Sequence, residues 1–310
     1  MTIIGAVDVG GTKIAAGAVT EDGTIIGFTE CATLPDRGFA LAMRRTKAML
    51  HQVASSAGVH FDGIGVACPG PLDPFSGVLD DVGTLPGWRG GNLAAELGSE
   101  FGTRVAVEND ADAAALAEAR WGAAKGSRQL IYITVSTGIG GGIVLGGQLY
   151  RGANGAHPEL GHQIIDASGD ASRPLCYCRA NGCWESLASG SAIASWVQQQ
   201  DPVDIPRTAE EIALSAEKGD PLALRAMDRE GYYLGLGLAN IITLFTPDTV
   251  VLGGGVMKSS HLFLPRALQV VRDVCTQVPV RNTLITVAAL GSTTGLAGAA
   301  QAWFCRHAHS

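Results

Sequence analysis

The chain opens with two apolar runs, Ile3–Val9 and Ile14–Val19, separated by Gly10-Gly11-Thr12-Lys13. Apolar runs of this length bounded by glycine predict strands joined by a turn. Glu21-Asp22-Gly23 predicts a hairpin into a third strand, Thr24–Phe28. Helical spacing covers Phe39–Ala57 and Asn92–Phe101, and an alanine-rich helix is predicted over Ala111–Trp121. Short strands are predicted at Gly63–Ala67 and Arg104–Val107. The opening pattern then returns as the strand Leu130–Val135, the turn Ser136–Gly142, the strand Ile143–Leu145, and a hairpin at Gly146-Gly147 into Gln148–Tyr150. "VDVGGTKIAAGAV" and "ITVSTGIGGGIVL" are thus variants of one unit: strand, polar glycine loop, strand. The chain reads as two α/β halves descended from one fold, each a β-meander followed by helices, with a cleft implied between two facing glycine loops. After Cys183 helices dominate, most clearly Glu210–Glu217 and Pro221–Leu244, with strands at Thr249–Leu252 and Ile285–Ala289. A last helix, Gly295–Arg306, is expected to pack back on the N-terminal domain.

Composition adds that these elements have enough material for large cores: of 310 residues, 46% are hydrophobic and 16% charged. The length suggests about two domains at roughly 150 residues each. A net charge of −7 disfavours nucleic acid and anionic membrane as partners. No apolar run is long enough for a membrane span, and Met1–Gly5 lacks the basic start of a signal peptide. Seven cysteines, three of them within Cys176–Cys183, look unlike a secreted disulfide framework. A reducing compartment with one metal site, and hence a cytoplasmic location, fits better.

Five groups of residues carry candidate chemistry. In Asp8-x-Gly10-Gly11-Thr12-Lys13, the glycines bare backbone N–H groups to phosphate oxygens, Thr12 adds a hydroxyl and Lys13 a charge. Asp8, at the end of an apolar strand, would suit hydrated Mg²⁺; a plain hairpin turn accounts for the same residues, though less well given the second copy at 136–142. No GxxxxGK[ST] occurs, and no GxGxxG opens a helix, which disfavours a Walker A loop and a dinucleotide site. In Glu108-Asn109-Asp110-Ala111-Asp112, a carboxylate at a strand's C-terminal end would accept a proton from a hydroxyl nucleophile; an aspartate N-cap of the following helix is the competing account. Cys176-x-Cys178-x4-Cys183 supplies three thiolates, with Gly182 allowing a tight turn and His162 as a candidate fourth zinc ligand, a closed and therefore structural set. A disulfide or free surface thiols are the alternatives. Glu159 and Glu185 flank this cluster and would accept hydrogen bonds from sugar hydroxyls, or simply lie on a charged surface. Gly253-Gly254-Gly255 would let the backbone lie against a base or ribose, and a strand-to-helix turn explains it equally.

Taken together, these motifs resemble the ROK family of sugar kinases, within the actin-like ATPase superfamily, nearly from end to end. DxGGTK at 8–13 and TxSTGIGGG at 134–142 resemble its two phosphate motifs, and ENDAD at 108–112 its (E/N)NDAN segment. ELGH at 159–162 followed by CxC(x)4CxE at 176–185 resembles its ExGH motif and zinc signature, a combination of high specificity. The resemblance implies an α/β, two-domain actin-like ATPase (ribonuclease-H-like) fold with an inter-domain active-site cleft. The expected domains are 1–118 plus 296–310, and 119–295 with the zinc site. It implies an ATP-dependent hexose kinase, glucose at O6 first, with N-acetylmannosamine, N-acetylglucosamine or fructose as alternatives. Asp110 would be the general base, with Gly70, Asn109, Glu159, His162 and Glu185 on the sugar. Asp8, Gly10, Gly11, Thr12, Lys13, Thr137, Gly138 and Gly254 would surround ATP and Mg²⁺. His162, Cys176, Cys178 and Cys183 would hold structural Zn²⁺, and a homodimer is expected. The family also contains sugar-sensing repressors, but these carry a helix-turn-helix domain ahead of the first phosphate motif, where only seven residues precede Asp8. Two positions depart from the pattern: Arg179 stands where glycine is usual, and Asp112 where asparagine is usual, the latter expected as a solvated aspartate at the helix start.

Overall fold

The computed structural model describes residues 1–168 and 175–307. Two five-stranded sheets carry the fold. In the first, β1 (Ile3–Val9), β2 (Lys13–Thr20) and β3 (Ile25–Ala32) form an antiparallel meander, while β4 (Gly63–Cys68) runs parallel to β1 and β5 (Val105–Asn109) parallel to β4. The strand order is β3-β2-β1-β4-β5. The second sheet holds β6 (Leu130–Val135), β7 (Ile139–Leu145), β8 (Gln148–Leu149), β9 (Thr249–Gly253) and β10 (Leu284–Val287), in the order β10-β9-β6-β7-β8. Counted from the other edge, β8-β7-β6-β9-β10 repeats the first order strand for strand, which is the duplication anticipated from the two glycine loops.

The chain forms two compact units, residues 1–128 with 142–158 and 288–310, and residues 129–141 with 159–287. In the first, alternate residues of the sheet face opposite layers. Val7, Val9, Ile14, Ile64 and Val66 pack in one core with Met43 and Leu50 of α1 (Phe39–Ala57) and with Leu93 and Leu97 of α2 (Leu93–Phe101). Helix α1 buries Ala42, Met43, Thr46, Met49, Leu50 and Val53 at helical spacing. Ile4, Ala6, Val19, Ala67 and Ala106 pack on the other side with Leu296, Ala299 and Trp303 of α9 (Thr294–His307). The C-terminal helix therefore docks on the N-terminal sheet, and at very close range: a Cβ at Gly65 of β4 would lie 1.8 Å from the Ala299 carbonyl oxygen. The alanines of α3 (Asp110–Arg120) permit a similar approach, with Gly298 of α9 seated against Ala113.

The second unit surrounds its part of the second sheet with α4 (Trp184–Ala188), α5 (Gly190–Gln200), α6 (Ala209–Glu217), α7 (Pro221–Phe245) and α8 (Leu264–Val274). The glycine-rich centre of α7 is a packing device: Gly231 meets the Phe263 carbonyl, Gly235 meets Val270 and Gly237 meets the Trp184 ring. One sequence expectation fails here. Residues 139–142, read as turn, are the start of β7. A Cβ at Gly141 would lie 2.6 Å from the Tyr132 carbonyl and one at Gly142 2.6 Å from the Ala111 carbonyl, so these glycines serve close packing of a strand and not a bend. Smaller differences concern β3, which runs on to Ala32, and β10, which ends at Val287. No helix among the described residues is long and apolar enough to cross a membrane.

Candidate active site

Strands β1, β4 and β5 are parallel neighbours, so their C-terminal ends share one edge of the first sheet. The register sets Asp8 beside Ala67 and Cys68 beside Asn109. Three segments far apart in sequence, Asp8–Lys13, Cys68–Gly70 and Asn109-Asp110, thus collect where open α/β sheets place ligand groups. Burial pushes the Asp8 carboxyl from its ordinary 3.8 up to about 6, the nearby Asp110 charge adds to the rise, and Lys13 opposes it. Such a carboxylate pair is what a hydrated divalent cation would neutralise, and the hard oxygen donors suit magnesium. Room for Asp8 depends on Gly295 in the first turn of α9, where a Cβ would lie 2.1 Å from Asp8 Oδ2.

The first glycine loop is a tight turn, with Gly10 N donating to the Lys13 carbonyl at 2.9 Å and Thr33 Oγ1 donating to the Gly10 carbonyl at 2.6 Å. Lys13 pairs with Glu30 of β3 at 2.9 Å, both side chains more than half exposed. The helix cap at the other segment falls to Asn109, whose Oδ1 accepts from Ala111 N at 2.9 Å and Asp112 N at 3.3 Å. Its amide nitrogen would lie 3.4 Å from a Cβ at Gly70. Asp110 is the first residue of α3 and accepts from Ala111 N at 2.9 Å. The preceding Glu108 is buried and gripped by Arg151 and Arg306, the latter at 3.1 Å and also bonded to the Val107 carbonyl at 2.8 Å.

In the second unit, the loop after β6 is pinned by its neighbours. Gly190 N at the start of α5 donates to the Ser136 carbonyl at 2.7 Å, and Ile139 N donates to Glu185 Oε2 at 2.9 Å. A Cβ at Gly138 would lie 2.3 Å from that carboxylate oxygen, and one at Gly161 2.0 Å from the Ile139 carbonyl. The glycine loop, the ELGH segment and Glu185 are therefore one packed cluster. His162, Cys176, Cys178 and Cys183 offer ligand atoms that all lie within 4.8 Å of one another. Cys176 Sγ is 3.4 Å from His162 Nδ1, and Cys178 Sγ 3.5 Å from Cys183 Sγ. A tetrahedral ion with bonds of about 2.0–2.3 Å spaces its ligands roughly 3.3–3.8 Å apart, so three thiols and an imidazole at these distances suit zinc. All seven cysteines are unbridged. Gly182, at φ +77°, is needed at this turn, because a Cβ would lie 1.8 Å from the Asp166 carbonyl.

A family model described as ROK family matches residues 4–305. The chain belongs to the ROK family. A glucokinase from Thermotoga maritima is 31% identical over 306 residues, 95% of each chain. Among solved structures, a ROK hexokinase from Thermus thermophilus superposes with a TM-score of 0.88 at 34% identity, covering 100% of both chains. A ROK family glucokinase from Streptomyces griseus, solved in complex with glucose and AMPPNP, gives 0.81 at 32%, covering 96% of this chain and 98% of its own. The two-domain actin-like ATPase fold is that of these neighbours.

Both departures from the ROK motif acquire a structural account. Asp112 is not solvated: it is 1% exposed and its Oδ2 lies 2.8 Å from His157 Nδ1, because the first turn of α3 packs under the segment leading to Glu159. Burial raises its pKa, with the histidine opposing. Arg179 takes φ +71°, the left-handed conformation that makes glycine the usual ROK residue there. Other features had no local sequence signal. Arg151 and Arg306 reach Glu108 from remote segments. A cavity of about 560 Å³ in the second unit combines Ser136, Thr137 and Ser191 with Thr208 of the α6 cap and with Gly255 and Lys258 after β9. Gly254, next in sequence to the lining residue Gly255, takes φ +91° and would place a Cβ 2.3 Å from the Val135 carbonyl, so only glycine fits this turn.

Proposed function

We propose that this ROK protein is an ATP-dependent hexose kinase that phosphorylates glucose at O6. The observation that carries the reading is the Asp8–Asp110 carboxylate pair at the shared edge of parallel strands, in a chain whose full-length relatives include glucokinases. Asp110 takes the proton of the 6-hydroxyl as that oxygen attacks the γ-phosphorus, and ADP leaves with the displaced bridging oxygen. Asp8 would hold hydrated magnesium, which would offset the charge of the phosphates, and the backbone N–H groups of Gly10, Gly11 and Gly138, with Thr12, Thr137 and Lys13, receive those phosphates. Lys13 must then leave Glu30, an exposed pair of small net worth. The cavity between Thr137 and Lys258 takes the nucleoside, with the backbone of the neighbouring Gly254 toward the ATP. Gly70, Asn109, Glu159, His162 and Glu185 hold the sugar. His162, Cys176, Cys178 and Cys183 would hold zinc as a structural cross-link, which would keep the loop bearing the last three sugar ligands in shape.

Glu108, tied by Arg151 and Arg306, keeps the end of β5 and thus Asp110 in register. We also take the protein to act in the cytoplasm, where zinc-ligating thiols stay reduced, as a homodimer with no nucleic-acid or membrane partner. The test is coupled ATP consumption over a panel of glucose, mannose, fructose, N-acetylmannosamine and N-acetylglucosamine. Glucose should give the highest kcat/KM, and Asp110→Asn should lower kcat by about 10²–10⁴ while largely sparing sugar binding. A near-normal kcat in that variant removes Asp110 from the mechanism, and no turnover of any hexose removes the kinase reading.

A further inference from the structure

The two ring nitrogens of His162 have different neighbours. Nδ1 faces Cys176 Sγ at 3.4 Å, inside the metal-ligand set. Nε2 lies 2.7 Å from the phenol oxygen of Tyr177, the residue between the first two cysteines. The two rings meet edge to face, with centroids 4.8 Å apart and planes at 80°. With Nδ1 committed to a metal, Nε2 carries the proton and donates it to the phenol. Tyr177 is nonetheless 77% exposed, so little packing holds it in place. The same phenol lies within electrostatic reach of Glu185 and Glu159. Its hydroxyl therefore touches one of the sugar ligands assigned to this unit, His162, with the charges of the other two in range.

We propose that Tyr177 is a displaceable latch on the sugar site, its hydroxyl occupying His162 Nε2 in place of a sugar hydroxyl and swinging out when hexose binds. The proposal rests on the reading of His162 as a sugar-binding residue. One N–H makes one good hydrogen bond, so phenol and sugar compete for it, and each molecule of sugar bound must break the tyrosine contact first. The latch thus weakens hexose binding without touching the transferred phosphoryl group.

Tyr177→Phe keeps the ring and removes the competing oxygen. The zinc-loaded full chain, wild type and variant, is titrated calorimetrically with glucose in the absence of nucleotide, then assayed at saturating ATP, with zinc content measured on both. The Kd and KM for glucose should fall by about 2- to 10-fold, the equivalent of one ordinary hydrogen bond. The kcat and the zinc stoichiometry should stay unchanged. An unchanged Kd overturns the latch, as does a raised Kd with loss of zinc, which would make the tyrosine a support for His162. Wild-type protein that binds no hexose at all would take down the sugar-site reading as well, whereas wild-type binding with an unaltered variant removes the latch alone.

Discussion

Glu230 sits on α7, fully buried, and neither carboxyl oxygen has a hydrogen-bond partner among the described residues. Burial pushes its pKa well above the ordinary 4.5, and the charge of the neighbouring Arg229 only partly offsets this. The folded protein therefore keeps this proton at a pH where the unfolded chain has released it. For an acid raised in this way, the contribution to stability is fully present below about pH 4.5 and is lost as pH climbs toward the folded pKa. The slope for one proton reaches about 1.4 kcal/mol per pH unit. Two substitutions separate the ionisation from the polar burial. Glu230→Gln should abolish the slope while leaving an unpartnered amide. Glu230→Met, of similar shape and wholly apolar, should also remove a desolvation cost of about 1–3 kcal/mol. Thermal melts by far-UV circular dichroism from pH 5 to 8.5 read the difference. The gap between the methionine variant and wild type should widen with pH, at about 1.5 °C per kcal/mol for a chain of 310 residues. Groups that titrate in both proteins cancel in that difference. Parallel curves, or a methionine variant less stable than wild type at pH 8, would refute the argument.

Two further outcomes follow from the zinc loop. Stripping the metal with a chelator should lower the melting temperature and weaken glucose binding together, since folding of this loop and ligation share one free energy; an unaltered melting profile would contradict a structural zinc. Arg179→Gly should relieve the cost of φ +71° for a residue with a Cβ, worth about 1 kcal/mol, and raise the melting temperature of the zinc-loaded protein by about 1–2 °C. A fall instead would show that the guanidinium contributes more than the backbone strain takes away.

Features set by near neighbours in the chain were readable from the residues alone. The bounds of α1 follow from its apolar spacing and from Gly58, which takes the left-handed conformation that ends it. Gly182 was legible as a turn residue, and three cysteines within eight positions announced a ligand set whose sulfurs come together. The repeat of strand, glycine loop and strand carried the duplicated topology, because a hydrophobic period and a loop composition are local quantities. What stayed hidden depends on which distant segments the sheets bring side by side. Asp112 reads as a surface aspartate until α3 is packed beneath His157. Gly141 and Gly142 read as turn residues until the Tyr132 and Ala111 carbonyls leave no room for a Cβ. The cavity of the second unit draws on segments around residues 136, 191, 208 and 258 that share no sequence signal. Likewise the contact of Tyr177 with His162 exists only because the cysteine loop folds back over the ELGH turn. Local sequence sets the conformation of each piece, but burial, close approach and hydrogen-bond partners are properties of pairs, and strand order alone decides which pairs meet.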